Sequence, residues 1–343
     1  MRSAHSYFMR CLRPLLACSL LTLSFAHGAT PPTPQAVMDA LTRANAAVVG
    51  VQVTTAEGAR SAQSLGRTRS GSGVVIGPDG LILTIGYLII EADSIQIITQ
   101  DQRSIPARAV GYDVATGFGL LKPLLPLRGV TGVSLGTYKD AEQGEMLMAA
   151  IGGNDADVGM TRLVSKRPFS GYWEYHIEMA LFTTPPISNH SGAPLFNQRG
   201  ELLGIGSLFV GDVMGASPRL PGNMYVPVDL LKPILAEMQS TGTSKLSRRP
   251  WLGLTSTEQG GRVQVVRVND DGPAKIGGIR PGDVVLAVDG ERVASLEEFY
   301  KRIWSHASPD DEIKLTVLQG ADIKTFTLKA VDRMSTMTRP SGI

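Results

Sequence analysis

Short apolar runs, separated by glycine, proline and polar residues, fill most of the chain from residue 71 onward. The runs GSGVVIG and LILTIGYLII flank Pro78, Asp79 and Gly80, a combination typical of the tight turn of a hairpin. Further strand-like runs follow at short spacing: SIQIITQD, SIPARAVGYD, FGLLKPL, MLMAAIGG and ELLGIGSLFV. Many short strands with frequent turns predict a mainly β fold, built as a barrel or a sandwich.

Helical patterns are confined to three segments. We expect a short amphipathic helix over residues 36–46, a helix over residues 227–240 that closes the β unit, and a helix that begins after Ser295. Ser295 and Glu298 have the spacing of a capping box. The polar segment TGTSKLSRRP, between the second and third helices, predicts a domain boundary. The predicted organisation is a signal segment, a lead-in, a β domain, a linker, a second domain and a tail, over residues 1–29, 30–66, 67–240, 241–249, 250–332 and 333–343.

The first 29 residues differ from the rest of the chain. Three arginines precede an apolar run over residues 15–25, which is too short to span a bilayer, and small residues follow it. This pattern predicts a secretory signal peptide with cleavage near Ala26 or Ala29, and an uncleaved anchor is the alternative. The start of translation is open between Met1 and Met9. We therefore expect an exported protein of the periplasm or cell envelope.

Composition narrows the functional classes. A hydrophobic share of 43% and a charged share of 19% in 343 residues allow a buried core and roughly two domains. Both cysteines lie within the first 29 residues, so the exported protein needs neither disulfides nor thiolate ligands, and we expect no metal or other cofactor. Loss of the signal changes the formal net charge from +2 to −1, because it removes three arginines. This balance argues against a nucleic-acid partner, for which a basic surface is expected.

The candidate chemistry lies in ISNHSGAPLFN, residues 187–197. Ser191 precedes the small residues Gly192 and Ala193, a pattern typical of the nucleophile loop of a serine protease. A serine hydroxyl is a poor nucleophile near neutral pH unless a base removes its proton. The presence or absence of such a base decides whether the loop belongs to an enzyme.

The order of these motifs resembles the HtrA/Deg family of exported trypsin-like serine proteases with a C-terminal PDZ domain. The resemblance rests on GSGVVIGPDGLILT, TGFGLLK, MLMAAIGG and SGAPLFNQRGELLGI, followed by WLGL, GPA and GIRPGDVVLAVDG in the right order and spacing. It implies a mainly β fold in which two six-stranded β-barrels precede one PDZ domain. It also implies a triad in which a histidine accepts the serine proton and an aspartate orients the histidine.

The chain departs from the family pattern at three positions. Tyr87 stands where the resemblance places the histidine, Gly117 stands at the aspartate position, and only Ser191 remains. Asn189 replaces the glycine whose backbone N–H contributes to the family's oxyanion hole. A phenol has a pKa of about 10, so Tyr87 is no equivalent base, and glycine has no side chain to orient anything. We therefore expect a pseudoprotease.

Two other functions stay open. An active endopeptidase would use Ser191 with an unrecognised base, and the histidines after the signal segment are His176, His190 and His306. A regulatory subunit would join active relatives in a mixed oligomer. Ser191 also has a purely structural interpretation, since a tight turn between barrel strands needs small residues.

The resemblance assigns peptide binding to the second domain. PDZ domains add an extended peptide to a sheet edge and hold its terminal carboxylate with backbone N–H groups. The expected partners are polypeptide segments or protein C-termini, and the family implies a homo-oligomer, typically a trimer, or a hetero-oligomer with an active relative. Arg248 and Arg249 would either attract the carboxylate or only solubilise the linker, and WLGL would alternatively be a core strand. The expected peptide-binding residues are Trp251, Leu252, Gly253, Leu254, Phe299, Tyr300 and Ile303.

Overall fold

The computed structural model describes residues 32–215, 219–306 and 308–337. The predicted signal peptide and both cysteines lie outside these residues. Within them, no helix combines the length and the apolar character that a membrane span needs.

A closed six-stranded barrel follows the first helix. Its strands are hydrogen-bonded in the order β1-β2-β3-β6-β5-β4, and β4 pairs with β1 to close it. Apolar and β-branched side chains fill its interior, as expected for strands rich in valine and isoleucine. Its elements in chain order are α1 (Pro34–Asn45), β1 (Val48–Thr55), α2 (Ala62–Leu65), β2 (Thr68–Val75), β3 (Ile82–Ile85), α3 (Gly86–Ile89), β4 (Ala92–Ile98), β5 (Ser104–Tyr112) and β6 (Phe118–Pro123).

A second closed barrel repeats this architecture. Its order is β10-β11-β12-β9-β8-β7, with β10 paired to β7. A closed barrel has no free sheet edge. The two six-stranded barrels that the resemblance implied are confirmed. The strands are β7 (Met146–Ile151), β8 (Asp157–Gly171), β9 (Tyr175–Thr184), β10 (Pro194–Phe196), β11 (Leu202–Val210) and β12 (Gly222–Pro227).

The PDZ unit has its own core around a sheet ordered β14-β15-β16-β18-β19, in which β14 is an edge strand. A short two-stranded sheet, β13 with β20, joins the first and last strands of the PDZ unit. The strands are β13 (Pro250–Trp251), β14 (Leu254–Gln259), β15 (Arg262–Val268), β16 (Val284–Val288), β17 (Glu291–Arg292), β18 (Glu312–Gln319), β19 (Asp322–Lys329) and β20 (Val331–Asp332), and the helices are α5 (Pro273–Gly277) and α6 (Leu296–Ile303).

The helix expected over residues 227–240 is shorter than predicted. A 3₁₀ turn, Val228–Leu230, is followed by α4, which begins only at Leu235 and ends at Thr241. Pro233 explains the break, because proline lacks an N–H and its ring clashes with the preceding turn of a helix. The other two helices are confirmed, and the Ser295 side chain accepts from Glu298 N–H at 3.1 Å as its cap requires.

The segment between barrel and PDZ unit is anchored to the first barrel. Asp113 is fully buried, and one carboxylate oxygen accepts from the hydroxyls of Ser244 and Ser247, each at 2.5 Å. Its other oxygen accepts from the N–H and the hydroxyl of Thr116. A buried carboxylate needs such partners, so this network holds the predicted linker against the barrel.

The β8–β9 hairpin extends from the second barrel to the PDZ unit. Its ladder runs out to the pair Gly171 and Tyr175, which leaves a three-residue turn. We call residues 171–175 the hairpin tip. The tip lies between the start of β14 and helix α6.

Candidate functional site

The three positions predicted for a triad lie together between the barrels. Tyr87 lies on α3, the single helical turn after β3, where a continuous strand over LILTIGYLII was expected. Gly86 N–H donates to Gly117 O at 2.6 Å, which fixes this turn against the loop between β5 and β6. Ser191 lies in the loop between β9 and β10, and its carbonyl accepts from Ser72 N–H at 2.8 Å. The geometry therefore brings Tyr87, Gly117 and Ser191 to one site.

Tyr87 is the hydrogen-bond partner of the serine. Its hydroxyl oxygen lies 2.7 Å from Ser191 Oγ and 2.9 Å from the carbonyl oxygen of Ser207. A carbonyl oxygen can only accept, and the phenol has one proton for these two oxygens. If that proton goes to Ser207, the Ser191 hydroxyl can donate to Tyr87 in return. In both arrangements Tyr87 is a neutral phenol that already carries its proton.

The surroundings make Tyr87 a still weaker acid than a free tyrosine. Burial raises the pKa of Tyr87 to about 12, and the hydrogen bond with Ser191 opposes this only in part. At neutral pH the phenolate is then on the order of one molecule in 10⁵. Tyr87 therefore supplies no base for Ser191 under ordinary conditions.

Gly117 has a backbone suited to glycine. Its φ is +84°, a left-handed value that is unfavourable for other residues. A Cβ at this position would lie 3.4 Å from the hydroxyl oxygen of Tyr175, which is buried and donates to Thr116 O at 2.7 Å. The sequence has glycine where the family pattern has an aspartate, and the local backbone favours that glycine.

The candidate substitute bases lie elsewhere. The His176 ring contacts the hydroxyl of Ser170 and faces the PDZ unit, and the His306 ring contacts Asp289. His190, the sequence neighbour of Ser191, contacts its own loop at Ser188 O. In the described part of the chain, no histidine or lysine hydrogen-bonds to Ser191 Oγ. The endopeptidase interpretation gains no base from this geometry.

The nucleophile loop is packed so tightly that it requires small residues. Gly192 has a φ of +73°, and a Cβ there would lie 2.0 Å from Ser72 O. A Cβ on Gly206 would lie 2.1 Å from His190 O, and Gly192 N–H donates to Gly206 O. Exposed Asn189 is not among the described residues with positive φ, so the loop does not place it in the left-handed conformation open to glycine. These contacts give the Ser-Gly-Ala sequence a structural reason that needs no catalysis.

A second centre lies at the carboxylate loop of the PDZ unit, residues 251–254. The Glu174 side chain enters this loop from the hairpin tip. Its Oε2 accepts from Leu252 N–H at 3.0 Å and its Oε1 from Leu254 N–H at 2.7 Å. The loop therefore already holds a carboxylate, and that carboxylate belongs to the same chain.

Glu174 is one of the most deeply buried acids of the chain. Its exposed fraction is 3%, and burial raises the pKa of its carboxyl although the N–H groups of the loop pull it down. Its φ is +54°, which is unfavourable for a residue with a side chain. Sequence reasoning missed Glu174, since a glutamate in the turn GYWEY matches no motif.

Most of the predicted peptide-binding residues are buried in this structure. Trp251 is half-buried, and the Gly253 φ of +82° needs glycine. The Tyr300 hydroxyl donates to Gly171 O at 2.8 Å and accepts from Glu174 N–H at 3.3 Å. Apart from Trp251 and Gly253, the predicted set belongs to the buried cluster of the PDZ unit, namely Leu252, Leu254, Phe299, Tyr300 and Ile303, and their role in peptide binding stays a prediction.

Arg249 is attracted to the Glu174 carboxylate that occupies the loop, and this attraction opposes the effect of burial on the Arg249 pKa. Its guanidinium stacks over the Trp304 ring at 3.5 Å, and burial lowers its pKa to about 10. It is thus a packed residue and not a solvated linker charge. Arg248 is exposed and remains open to the solubilising role.

Comparisons with known proteins agree with this architecture. The trypsin-like peptidase domain matches residues 71–205, and the PDZ domain matches residues 250–330. A "Probable periplasmic serine endoprotease DegP-like" of Halomonas elongata is 28% identical, over 78% of this chain and 57% of that protein. A protein of the same description from Pseudomonas fulva is 31% identical, over 68% of this chain and 49% of its own length. The chain thus spans about half the length of the curated relatives it matches.

Solved structures show the same fold. The HtrA-type protease AlgW with tripeptide has a TM-score of 0.53 at 22% identity, over 91% of this chain and 99% of that chain. The serine endoprotease from Yersinia pestis has a TM-score of 0.52 at 23% identity, over 88% of this chain and 99% of that chain. This chain belongs to the HtrA/Deg family.

One cluster in this HtrA/Deg protein has the composition of a metal site. His176, Glu178 and Glu297 offer ligand atoms within 4.8 Å of one another. Lys301 Nζ already donates to both carboxylates, at 3.1 and 2.7 Å, and supplies the positive charge there. The cluster therefore acts as an ion-pair contact between the hairpin and α6, and the absence of a metal cofactor stays a prediction.

Proposed function

We propose that this chain is an exported HtrA/Deg pseudoprotease whose PDZ unit binds polypeptide segments through their C-terminal carboxylates. The single observation that carries the first half is the hydrogen bond between Tyr87 and Ser191. The partner of the nucleophile is a phenol that keeps its proton, so the serine cannot be deprotonated as it attacks.

The active-endopeptidase alternative has weaker support. Its base would have to reach Ser191 Oγ, where the structure places Tyr87, while the three histidines contact other groups. It would also have to work beside Gly117, which cannot orient a base. The relatives named as serine endoproteases make it the natural competitor.

A digestion assay separates the two functions. Purified protein and its Ser191→Ala variant are incubated with casein and with a reduced, unfolded protein, and the fragments are measured by mass spectrometry. We expect no fragment that depends on Ser191. Cleavage by the wild-type chain that disappears in Ser191→Ala would refute the pseudoprotease assignment.

The peptide-binding half rests on the intact chemistry of the carboxylate loop. The N–H groups of Leu252 and Leu254 both hold carboxylate oxygens, which is the task a PDZ loop performs for a peptide terminus. A peptide library with free C-termini should bind, and the same peptides with amidated ends should not. Gly253→Val should abolish binding, because a Cβ there would lie 3.0 Å from Gly272 Cα. Equal binding by free and amidated peptides would count against this site.

Assembly, location and domain limits complete the proposal. The family resemblance favours a trimer or a mixed oligomer with an active relative, which light scattering and co-purification would distinguish. The relatives are described as periplasmic, so the mature protein should appear in the periplasmic fraction. The barrel body begins before the residue 67 expected from the sequence, because β1 (Val48–Thr55) pairs with both β2 and β4. Limited proteolysis should separate this body, which extends to residue 240, from a PDZ unit of residues 250–332.

A further inference from the structure

We propose that the β8–β9 hairpin is the resident ligand of the PDZ unit, with Glu174 in the place of a partner's C-terminal carboxylate, so that a partner binds only by displacing the hairpin. This inference rests on the proposed peptide-binding function. It adds the regulation of that site and defines the partner as a polypeptide with a free C-terminus.

Glu174 carries the same chemical group as the C-terminus of a peptide. The two oxygens of Glu174 accept from alternate backbone N–H groups, those of Leu252 and Leu254, at 3.0 and 2.7 Å. A terminal carboxylate has the same planar pair of oxygens. Hydrogen bonds to a charged acceptor are stronger than neutral ones, so these donors favour whichever carboxylate reaches them first or binds them better. Two carboxylates cannot use them at once.

The hairpin tip contacts the edge of the PDZ sheet at β14. Strand β14 is paired with β15 on one side only, and on the other side Ser256 N–H donates to Tyr172 O at 2.8 Å. A peptide added as a strand would use the same edge donors. The hairpin tip therefore imitates a bound peptide both in its carboxylate and in its main-chain contact.

Helix α6 contacts the hairpin tip and closes the space around it. Tyr300 bonds to Gly171 O and to Glu174 N–H, and Lys301 bonds to Glu178 further along the hairpin. These contacts span the tip from the side opposite to β14. An incoming peptide would have to break them or move the hairpin out of the space between β14 and α6.

Insertion of the hairpin has a cost in backbone conformation and in burial of a carboxylate. Glu174 has a left-handed φ of +54° and an exposed fraction of only 3%. A strained conformation persists only where its surroundings enforce it, and burial of a carboxylate opposes the favourable hydrogen bonds. The apparent affinity for a peptide is reduced by the fraction of molecules in which the hairpin is inserted. Weakening the insertion should therefore strengthen peptide binding.

The test compares the full chain with its Glu174→Gln variant. The probe is a fluorescein-labelled decapeptide pool with randomised final positions and a free C-terminus, followed by fluorescence anisotropy, with the amidated pool as the reference for specificity. We expect Glu174→Gln to bind the free-carboxylate peptides roughly tenfold more tightly. Exposed Glu312 on β18 provides the matched control, and Glu312→Gln should bind like the wild-type chain.

Hydrogen exchange gives a readout that does not depend on affinity. Amides of residues 252–256 should exchange faster in Glu174→Gln than in the wild-type chain, and peptide should accelerate exchange at residues 171–175 in the wild-type chain. Circular dichroism checks that the variant folds. Glu174→Asp keeps the charge but shortens the side chain, and its affinity should lie between the other two.

The outcomes separate this proposal from the peptide-binding function. If peptides bind and Glu174→Gln has the wild-type affinity, or the hairpin stays protected with peptide bound, the resident-ligand proposal is overturned while peptide binding stands. If no free-carboxylate peptide binds either protein, the peptide-binding function falls and displacement falls with it.

Discussion

The two centres of the molecule are both occupied by a side chain of the same protein, but in different senses. At the nucleophile loop, Tyr87 replaces the group that the chemistry requires, and no movement of Tyr87 creates a base. At the carboxylate loop, the binding donors are complete and Glu174 only occupies them. Under the proposed function, the first centre lacks a base for catalysis, whereas the second keeps the N–H donors that would bind a peptide carboxylate.

The largest expected effect is a loss of stability when the glycine of the nucleophile loop is replaced. Gly192→Ala introduces a Cβ 2.0 Å from Ser72 O at a φ of +73°. We expect a loss of about 3 kcal/mol in the free energy of unfolding, from overpacking and backbone strain together. Denaturant titration measures it, and Gly211→Ala, with no heavy atom within 4 Å, is the control that should change little.

Such a result would show that the loop is kept for structure. A Gly192→Ala protein as stable as the wild-type chain would remove the structural reason for the Ser-Gly-Ala sequence. It would leave catalysis as the better explanation of why that sequence is present.

The corresponding glycine substitution in the carboxylate loop should lower the free energy of unfolding less than Gly192→Ala does, and it should also lower the affinity for peptides. Gly253→Ala places a Cβ 3.0 Å from Gly272 Cα at a φ of +82°. We expect a loss of about 1–2 kcal/mol, mainly from the left-handed backbone. Gly282→Ala, at a φ of +95° in open space, reports the backbone cost alone. Peptide affinity measured by anisotropy should fall only in Gly253→Ala, and an equal fall in Gly282→Ala would contradict the assignment of the loop.

Removal of the Tyr87 hydroxyl should have the smallest effect at neutral pH. Tyr87→Phe loses hydrogen bonds to Ser191 and Ser207, at a cost of about 1 kcal/mol. The alkaline range is more informative. Because the folded pKa of Tyr87 is raised to about 12, its stabilising contribution is present below its unfolded value of about 10 and is lost as the pH rises through 12.

Unfolding titrations between pH 8 and 12 test this sign. The wild-type chain should lose stability more steeply than Tyr87→Phe, although burial also raises the pKa values of Tyr112, Tyr175, Tyr225 and Tyr300, whose contribution both proteins share. Parallel curves for the two proteins would mean that Tyr87 ionises as freely as in water.

The sequence predicted well what depends on local pattern. The strand and turn pattern predicted a mainly β fold, and the resemblance to the HtrA/Deg family implied the two barrels, the PDZ unit and the position of Tyr87 at the histidine of the triad. The failures have local reasons too, since Pro233 interrupts a helix and the turn at Gly86 ends a strand that was expected to continue.

Long-range contacts could not be predicted in this way. The position of Glu174 depends on the reach of the β8–β9 hairpin and on where α6 packs, and neither leaves a trace in the residues around Glu174. The burial of Phe299 and Ile303 agrees with the apolar spacing of α6, but the contact of Tyr300 with the hairpin tip could not be read from that spacing. Residues that belong to a motif of fixed spacing can be identified from a sequence. Residues that meet only because one element packs against another cannot be identified in this way.

The central claim is that no base activates Ser191, and reaction with a fluorophosphonate probe tests it most directly, because such a probe requires an activated serine but no particular substrate. The purified chain, its Ser191→Ala variant and active trypsin are treated in parallel and analysed by intact mass. We expect trypsin to be labelled and neither form of this chain to be labelled. A probe adduct on Ser191 of the wild-type chain, absent from Ser191→Ala, would contradict it.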